Sequence, residues 1–265
     1  MTGSSPLNLC YPVLQTLASA NIMRVSRNEL TASLKKAFEG LGFSVGDYQD
    51  AAAMVIWSEM HGLNGLQQLQ DALPSLYSCL CLHAKLIRND DNYALLDGQS
   101  SSMLLCGSQT VRLACALARQ QGSGQVQLDN CHNRRFIAQR LVSAAQSDSA
   151  LVAYWVEGDS AFKLSVESGA KQPIYSEFAS TAISADQSLM IFVGNDLAAV
   201  EAKFSAAINP GPPIETTSPD TMINSYNDML EQGIEIDDNL WHELDNLVAR
   251  VLVESTESSR AGAGD

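Results

Sequence analysis

Positive charge is scarce in this chain. Its 265 residues carry 16 Lys and Arg against 30 Asp and Glu, a formal net charge of −14. A protein that tracks nucleic-acid phosphates needs clustered Lys and Arg, so that class is excluded, as is adsorption to anionic lipid. No stretch approaches the ~20 apolar residues of a membrane span. The apolar start from Leu7 to Ala20 has no basic residue before it, the first being Arg24, and Pro6, Pro12 and Gln15 interrupt it. It therefore does not read as a signal peptide, and a cytoplasmic protein is expected. None of the six cysteines forms a Cys-x-x-Cys pair, which excludes zinc-ribbon and thioredoxin-type sites. Cys79, Cys81 and His83 alternate, and on a strand they would share one face. With no fourth ligand and with Leu80, Leu82 and Leu86 as neighbours, buried free thiols in a reducing compartment are expected, and no metal.

Apolar residues, by contrast, make up 46% of the chain, enough for a sizeable core. Ser26-Arg27-Asn28-Glu29 is a capping box, and Leu30, Leu34, Ala37, Phe38 and Leu41 follow at helical spacing. A second helix over 47–62 is apolar nearly all round. Asn64 is placed to cap a third, ended by Pro74. Strands are expected at 76–87 and 93–97, the latter closed by an Asp97-Gly98 turn. Beyond them the spacing predicts a helix over 110–119, a strand over 125–128, a helix over 134–145 and a strand over 151–156. Strands at 162–166 and 189–193 and a helix over 197–207 complete the body. Past Asn209-Pro-Gly-Pro-Pro213 come helices at 221–231 and 238–252, in a region where residues 201–265 hold 13 acids against three bases. The fold class is α/β: a central mixed, partly parallel sheet with helical cover, the N- and C-terminal helices packing together. The expected division is a flexible start (1–24), a helical unit (25–75), an α/β core (76–208), C-terminal helices (209–252) and a tail (253–265).

Several segments together resemble one family. They are Val25-Ser26-x-x-Glu29-Leu30, the Leu41-Gly42 break, Leu95-Leu96-Asp97-Gly98 and Gly122-x-Gly124-x-Val126. Asn130-Cys131-His132 and Gly233-Ile234 through Asp238-x-x-Trp241-x-x-Leu244 complete the set. In order and spacing they resemble the type-2 malate/L-lactate dehydrogenases, which interconvert 2-hydroxy and 2-oxo acids or related imines with NAD(P). The tail, Ser255-Thr256 through Arg260 and Gly262-Ala263-Gly264, is closer to a shorter bacterial family of unknown function (DUF3726-like). The resemblance implies the dehydrogenase fold and a homodimer, and the all-round apolar character of helix 47–62 argues for a dimer as well.

The departures bear on function. After their second helix the dehydrogenases carry a Ser-His-Gly segment followed by Arg, where His is the acid/base and Arg holds the substrate carboxylate. Without a gap in the helix, Gly62 takes the leading Gly, the Ser-His pair is missing and Gln68 replaces Arg. An alternative register sets His61-Gly62 on the family's His-Gly and leaves Gly65 at the Arg position. A neutral amide cannot form the charge-assisted fork of a guanidinium. The Thr-Asn-Pro and Lys-Gly segments that help hold the family's dinucleotide are absent, and Gly122-x-Gly124 lacks the third Gly of a dinucleotide fingerprint. The candidate catalytic residue is His61. The candidate ligand contacts are Asn130, His132, Arg134 and Arg135, where a strand meets a helix and two arginines give local positive charge. The expected function is a catalytically degenerate relative that binds a small anionic metabolite or a partner without a cofactor. The alternative is an active NAD- or NADP-dependent oxidoreductase acting on a 2-hydroxy/2-oxo acid or cyclic imine.

Overall fold

The computed structural model describes residues 21–78, 81–180 and 187–251. Strand β1 (Ile22–Val25) is followed by helices α1 (Arg27–Gly40), α2 (Val45–Met60) and α3 (Gly65–Tyr77). Next come β2 (Lys85–Asn89), β3 (Tyr93–Ser102), α4 (Met103–Gln121), β4 (Ser123–His132), a 3-10 turn over 134–137 and α5 (Ala138–Ala145). The chain continues through β5 (Ala150–Glu157), β6 (Ser160–Val166), β7 (Ile174–Ala179), β8 (Leu189–Gly194) and α6 (Leu197–Ala207). It ends with β9 (Glu215–Thr217), α7 (Pro219–Gln232), β10 (Ile234–Asp237) and α8 (Asp238–Val248).

Eight strands form one sheet in the order β2-β3-β4-β8-β5-β6-β7-β9. Only β3 and β4 run parallel, joined through the crossover helix α4; every other neighbouring pair is antiparallel. The sheet is thus mixed and partly parallel, as the sequence pattern predicts. Alternation decides the two faces. Leu151, Ala153 and Trp155 of β5 join the main core with α2, α4 and α5, whereas Ala150 and Val152 pack with Phe192 under Val200 and Phe204 of α6.

The first and last described elements pack together as expected. β1 pairs antiparallel with β10, and α1 lies against α8. Gly40 is the point of closest approach, since a Cβ there would overlap the Leu247 carbonyl oxygen. The Ser26 hydroxyl accepts from the Glu29 amide at 3.2 Å, so the N-cap half of the capping box forms. Met54, Val55 and Met60 of α2 are fully enclosed by helices of the same chain, with contacts to α1, α3, α4, α5 and α7. The apolar surface of α2 is therefore consumed within one chain and does not itself require a second copy.

Four local expectations are corrected. Pro74 does not end α3, which runs on to Tyr77; one lost amide bond is tolerated because Leu73 and Leu76 are buried on either side. Asn64 adopts φ 53° and makes no side-chain cap. The α3 N-terminus is instead capped by Glu59 of α2, which accepts from the Leu66 amide at 2.8 Å. Asp97-Gly98 is no closing turn, because β3 continues through an irregularity to Ser102, with Gln99 and Ser100 at positive φ. Residues 76–78 end a helix, and Cys81 lies at φ 51°, so Cys81 and His83 share no strand face. Cys79, Cys10, the start before residue 21 and the tail beyond 251 lie outside the described residues. Among the described cysteines, Cys106, Cys115 and Cys131 are buried free thiols.

Two glycine substitutions should shift stability in opposite directions. Gly40→Ala forces α8 away from α1 and should cost about 1–3 kcal/mol. At Gly46, in the first turn of α2, a Cβ meets nothing within 4 Å. Gly46→Ala should therefore be neutral or stabilise by up to about 1 kcal/mol. Urea midpoints of the two variants check both signs.

Candidate functional site

The Asp97-Gly98 and Asn130-Cys131-His132 segments sit side by side because β3 and β4 run parallel. Asp97 pairs with Asp129, and Ser102 pairs with His132. The Asp97 carboxylate accepts from the Gln99 amide at 2.9 Å and from the Asn130 side-chain amide at 3.0 Å. These bonds, the Gln99 amide first, hold its pKa below the ordinary carboxylate value. A Cβ at Gly98 would lie 2.8 Å from the Asn130 carbonyl oxygen. Asn130 and Gly98 thus lock a kink shared by two strands, and the Asn130 amide is engaged by that lock.

Arg134 is only 6% exposed. Its guanidinium donates to the carbonyls of Cys131 at 2.8 Å and Val156 at 3.0 Å, tying the end of β4 to the end of β5. Arg135 donates to Glu157 at 2.9 Å and stacks over Phe162 at 4.4 Å. One arginine is a buried brace and the other has its charge countered, so the two do not form the positive pair expected from sequence. Arg135 does line two small cavities, but Glu177 and Glu215 share one and Asp71 and Glu157 the other. Excess negative charge there disfavours an anion. Gln68 borders both cavities and donates its amide to its own loop at the Leu63 carbonyl. His132 lies at the carboxyl end of β4 as expected, half-buried, but lines neither cavity.

His61 is placed differently. It ends α2, 6% exposed, between the rings of Trp57 at 4.0 Å and Tyr226 of α7 at 5.3 Å. Its Nδ1 lies 2.7 Å from the Trp57 carbonyl oxygen. A carbonyl can only accept, so Nδ1 carries the proton and, in the neutral ring, Nε2 keeps its lone pair. Burial pushes the imidazole pKa down, and the Arg27 charge acts in the same direction. His61 lines a cavity of about 420 Å3 together with Arg27 and Lys35 of α1, Gln49 and Trp57 of α2, Gln139 of α5 and Tyr226. No carboxylate among the described residues lines it. Among the described residues, neither Arg27 nor Lys35 forms an ion pair. In so acidic a protein this is a locally cationic pocket with aromatic walls, amide donors and one proton acceptor. Sequence reasoning found His61 but not Arg27 and Lys35. Their i, i+8 spacing puts them near one face of α1, yet nothing local reveals that α2 and α7 close over that face.

The position that would hold a substrate-binding arginine is closed. In the register that uses His61-Gly62 it falls on Gly65, where a Cβ would overlap the Val55 carbonyl oxygen and lie 2.6 Å from the Glu59 nitrogen. The α2–α3 packing therefore admits no side chain at 65. Gly122-x-Gly124 is also accounted for structurally. Gly122 caps the C-terminus of α4 at φ 76°, and a Cβ on Gly124 would lie 2.9 Å from the Ala118 nitrogen. Phosphates favour helix N-termini, and this pair sits at the opposite pole, so it does not fit a dinucleotide pyrophosphate. Among the described residues no group of three His, Cys, Asp or Glu is placed to hold a metal ion.

Residues 25–127 match a family described as a protein of unknown function, DUF3726. A 118-residue segment is 29% identical to a malate dehydrogenase of Pyrococcus abyssi (strain GE5 / Orsay), spanning 43% of this chain and 33% of that relative's length. Solved structures share the fold. The malate dehydrogenase from Pyrococcus horikoshii OT3 has a TM-score of 0.63 at 15% identity, over 88% of this chain and 97% of that one. Sulfolactate dehydrogenase from Methanocaldococcus jannaschii gives 0.59 at 11% over 86% and 97%. The delta1-piperideine-2-carboxylate reductase from Pseudomonas syringae pvar. tomato gives 0.56 at 10% over 85% and 99%. The resemblance read from the sequence is borne out, and with it the fold.

Buried His61 and half-buried His132 make stability pH-dependent. Burial lowers the pKa of His61, and it lowers that of His132 with help from the Arg134 charge, so both fall below the ordinary value of 6.5. The unfolded chain then binds more protons than the folded one. Their contribution is fully present above about pH 6.5 and is lost as pH falls below it. Melting temperature should drop between about pH 7 and pH 5, and His61→Gln should flatten that drop. Thermal unfolding across that range measures it.

Proposed function

Starting from the fold this chain shares with malate/lactate dehydrogenase-like proteins, we propose that it holds a small anionic metabolite in the His61 cavity and is a catalytically degenerate relative of those enzymes. The carrying observation is Gly65. In the register that uses His61-Gly62, the packing of α3 on α2 excludes any side chain at the position of the carboxylate-gripping arginine. In the other register Gln68 stands there, and its amide is already given to the Leu63 carbonyl. The positive charge available to an anion comes instead from Arg27 and Lys35 of α1, on the His61 side of α2. A carboxylate there receives charge-assisted hydrogen bonds. A neighbouring hydroxyl can donate to His61 Nε2, and the Trp57 and Tyr226 rings exclude water from its apolar part. That combination suits a hydroxy acid.

One observation favours the second reading, an active oxidoreductase. A neutral imidazole with its Nδ1–H fixed on a carbonyl is oriented as a general base. Gly122-x-Gly124 does not fit the NAD or NADP pyrophosphate, so no hydride step is assigned.

Calorimetric titration of L-malate, L-lactate and NADH into the purified protein separates the readings. Saturable heat with a hydroxy acid is expected, weakened on the order of tenfold by Arg27→Ala or Lys35→Ala, a loss of about 1.4 kcal/mol. NADH should bind weakly or not at all. NADH binding at micromolar Kd, together with malate-dependent NAD reduction that His61→Gln abolishes, would replace this proposal with the oxidoreductase.

A further inference from the structure

A second cationic cavity lies elsewhere and goes beyond the function proposed above. Its walls are one stripe of α4 and the facing stripe of α5. From α4 come Ser108, Arg112, Cys115 and Arg119, spaced four, three and four residues apart so that they share a face. From α5 and the turn after it come Arg140, Ser143 and Ser147, and Ser149 closes the floor just before β5. The volume is about 270 Å3. Three of the chain's 16 basic residues converge on this one cavity, and no carboxylate lines it.

The partners of these groups show how much charge is uncommitted. Arg140, with a side chain 14% exposed, pairs with Asp50 of α2 at 2.8 Å and donates to the Ser108 hydroxyl at 3.2 Å. Ser108 in turn donates to Asp50. Arg119 donates only its Nε to the Cys115 carbonyl, at 3.3 Å, leaving its terminal nitrogens. Among the described residues, Arg112 and Arg119 have no carboxylate partner. Burial lowers the Arg140 pKa against the pull of Asp50, and the nearby Arg112 charge adds to the lowering. Arg112 and Arg119 thus place two cations without carboxylate partners beside one hollow, and an anion entering it is attracted to both.

We propose that this cavity between α4 and α5 is a binding site for a phosphoryl group. Arg112 and Arg119 supply guanidinium groups free of carboxylates, Arg140 stays committed to Asp50, Ser108 and Gln139 as a brace of the wall, and the Ser143 and Ser147 hydroxyls donate to the remaining oxygens. The donor count decides the class. A carboxylate offers two oxygens and saturates one fork, whereas a phosphoryl group presents three terminal oxygens, enough for both free guanidinium groups and a serine hydroxyl. The site is for binding and not for chemistry. The Cys115 thiol is pushed up by burial and stays protonated, and among the described residues no metal cluster is present. Free phosphate and a small phosphate monoester share this chemistry, and affinity distinguishes them.

The test is calorimetric titration of inorganic phosphate and of glycerol 3-phosphate in low-chloride buffer, with L-malate as the carboxylate control. Measurements on wild type, Arg112→Ala/Arg119→Ala and Arg88→Ala are compared. Arg112 and Arg119 are exposed, so the double variant should fold, as its circular dichroism checks. Saturable phosphoryl binding weakened on the order of a hundredfold in the double variant and unchanged in Arg88→Ala is expected, each lost fork contributing about tenfold. Equal affinity for the two ligands assigns free phosphate, and tighter glycerol 3-phosphate assigns an organic phosphate. Absence of binding by both, binding that survives the double variant, or L-malate competing equally in this cavity overturns the proposal. Malate binding sensitive to Arg27→Ala concerns the His61 cavity alone, so the two sites fail independently.

Discussion

Burial of α2 is the constraint on which the rest of the structure depends. Seven of its side chains are buried, and helices from both ends of the chain close around it. Each large residue removed from water there contributes roughly 1.5–3 kcal/mol. The sheet and the terminal helices are joined through this one element. Its polar residues inherit fixed positions as a result. Asp50 leaves one side to reach Arg140, Glu59 leaves the end to cap α3, and His61 stops the helix between two aromatic rings. Moving α2 by one turn would disturb all three.

The same packing explains why a dehydrogenase fold carries a different distribution of charge. Docking of α3 against α2 is close enough to require glycine at 65. In the register that uses His61-Gly62, that closeness excludes the long cationic side chain that the resemblance implies. Positive charge appears instead on α1 and in the α4–α5 hollow, where helices diverge enough to leave cavities. Arginines at the sheet edge, by contrast, are absorbed into the fold. Arg134 donates to two strand-end carbonyls, and Arg135 is balanced by Glu157.

Much of the secondary structure was readable before any coordinates. The capping box at Ser26, the helix over Leu197–Ala207 and the strands around 151–156 and 189–193 follow from patterns spanning only neighbouring residues. β7, β9 and the β1–β10 ribbon were not readable, because short strands carry little periodic signal and exist through their distant partners. Glu59 as the cap of α3 was hidden for the same reason. Its role depends on a chain reversal at Gly62, not on a motif at the helix start.

The sequence by itself determined that this is an acidic α/β protein of the dehydrogenase-like fold with His61 and His132 at element ends. Composition, helical spacing and motif order are local properties that survive in one dimension. Only the tertiary structure decided which charges remain uncommitted. Arg134 and Arg135 read as a binding pair in the chain and prove engaged, whereas Arg27, Lys35, Arg112 and Arg119 carry no signal in the chain and line cavities without carboxylates among the described residues. The reason is physical: a cationic side chain is available to a ligand only through the nitrogens that packed carboxylates and carbonyls leave free, and which they leave free depends largely on elements far apart in sequence.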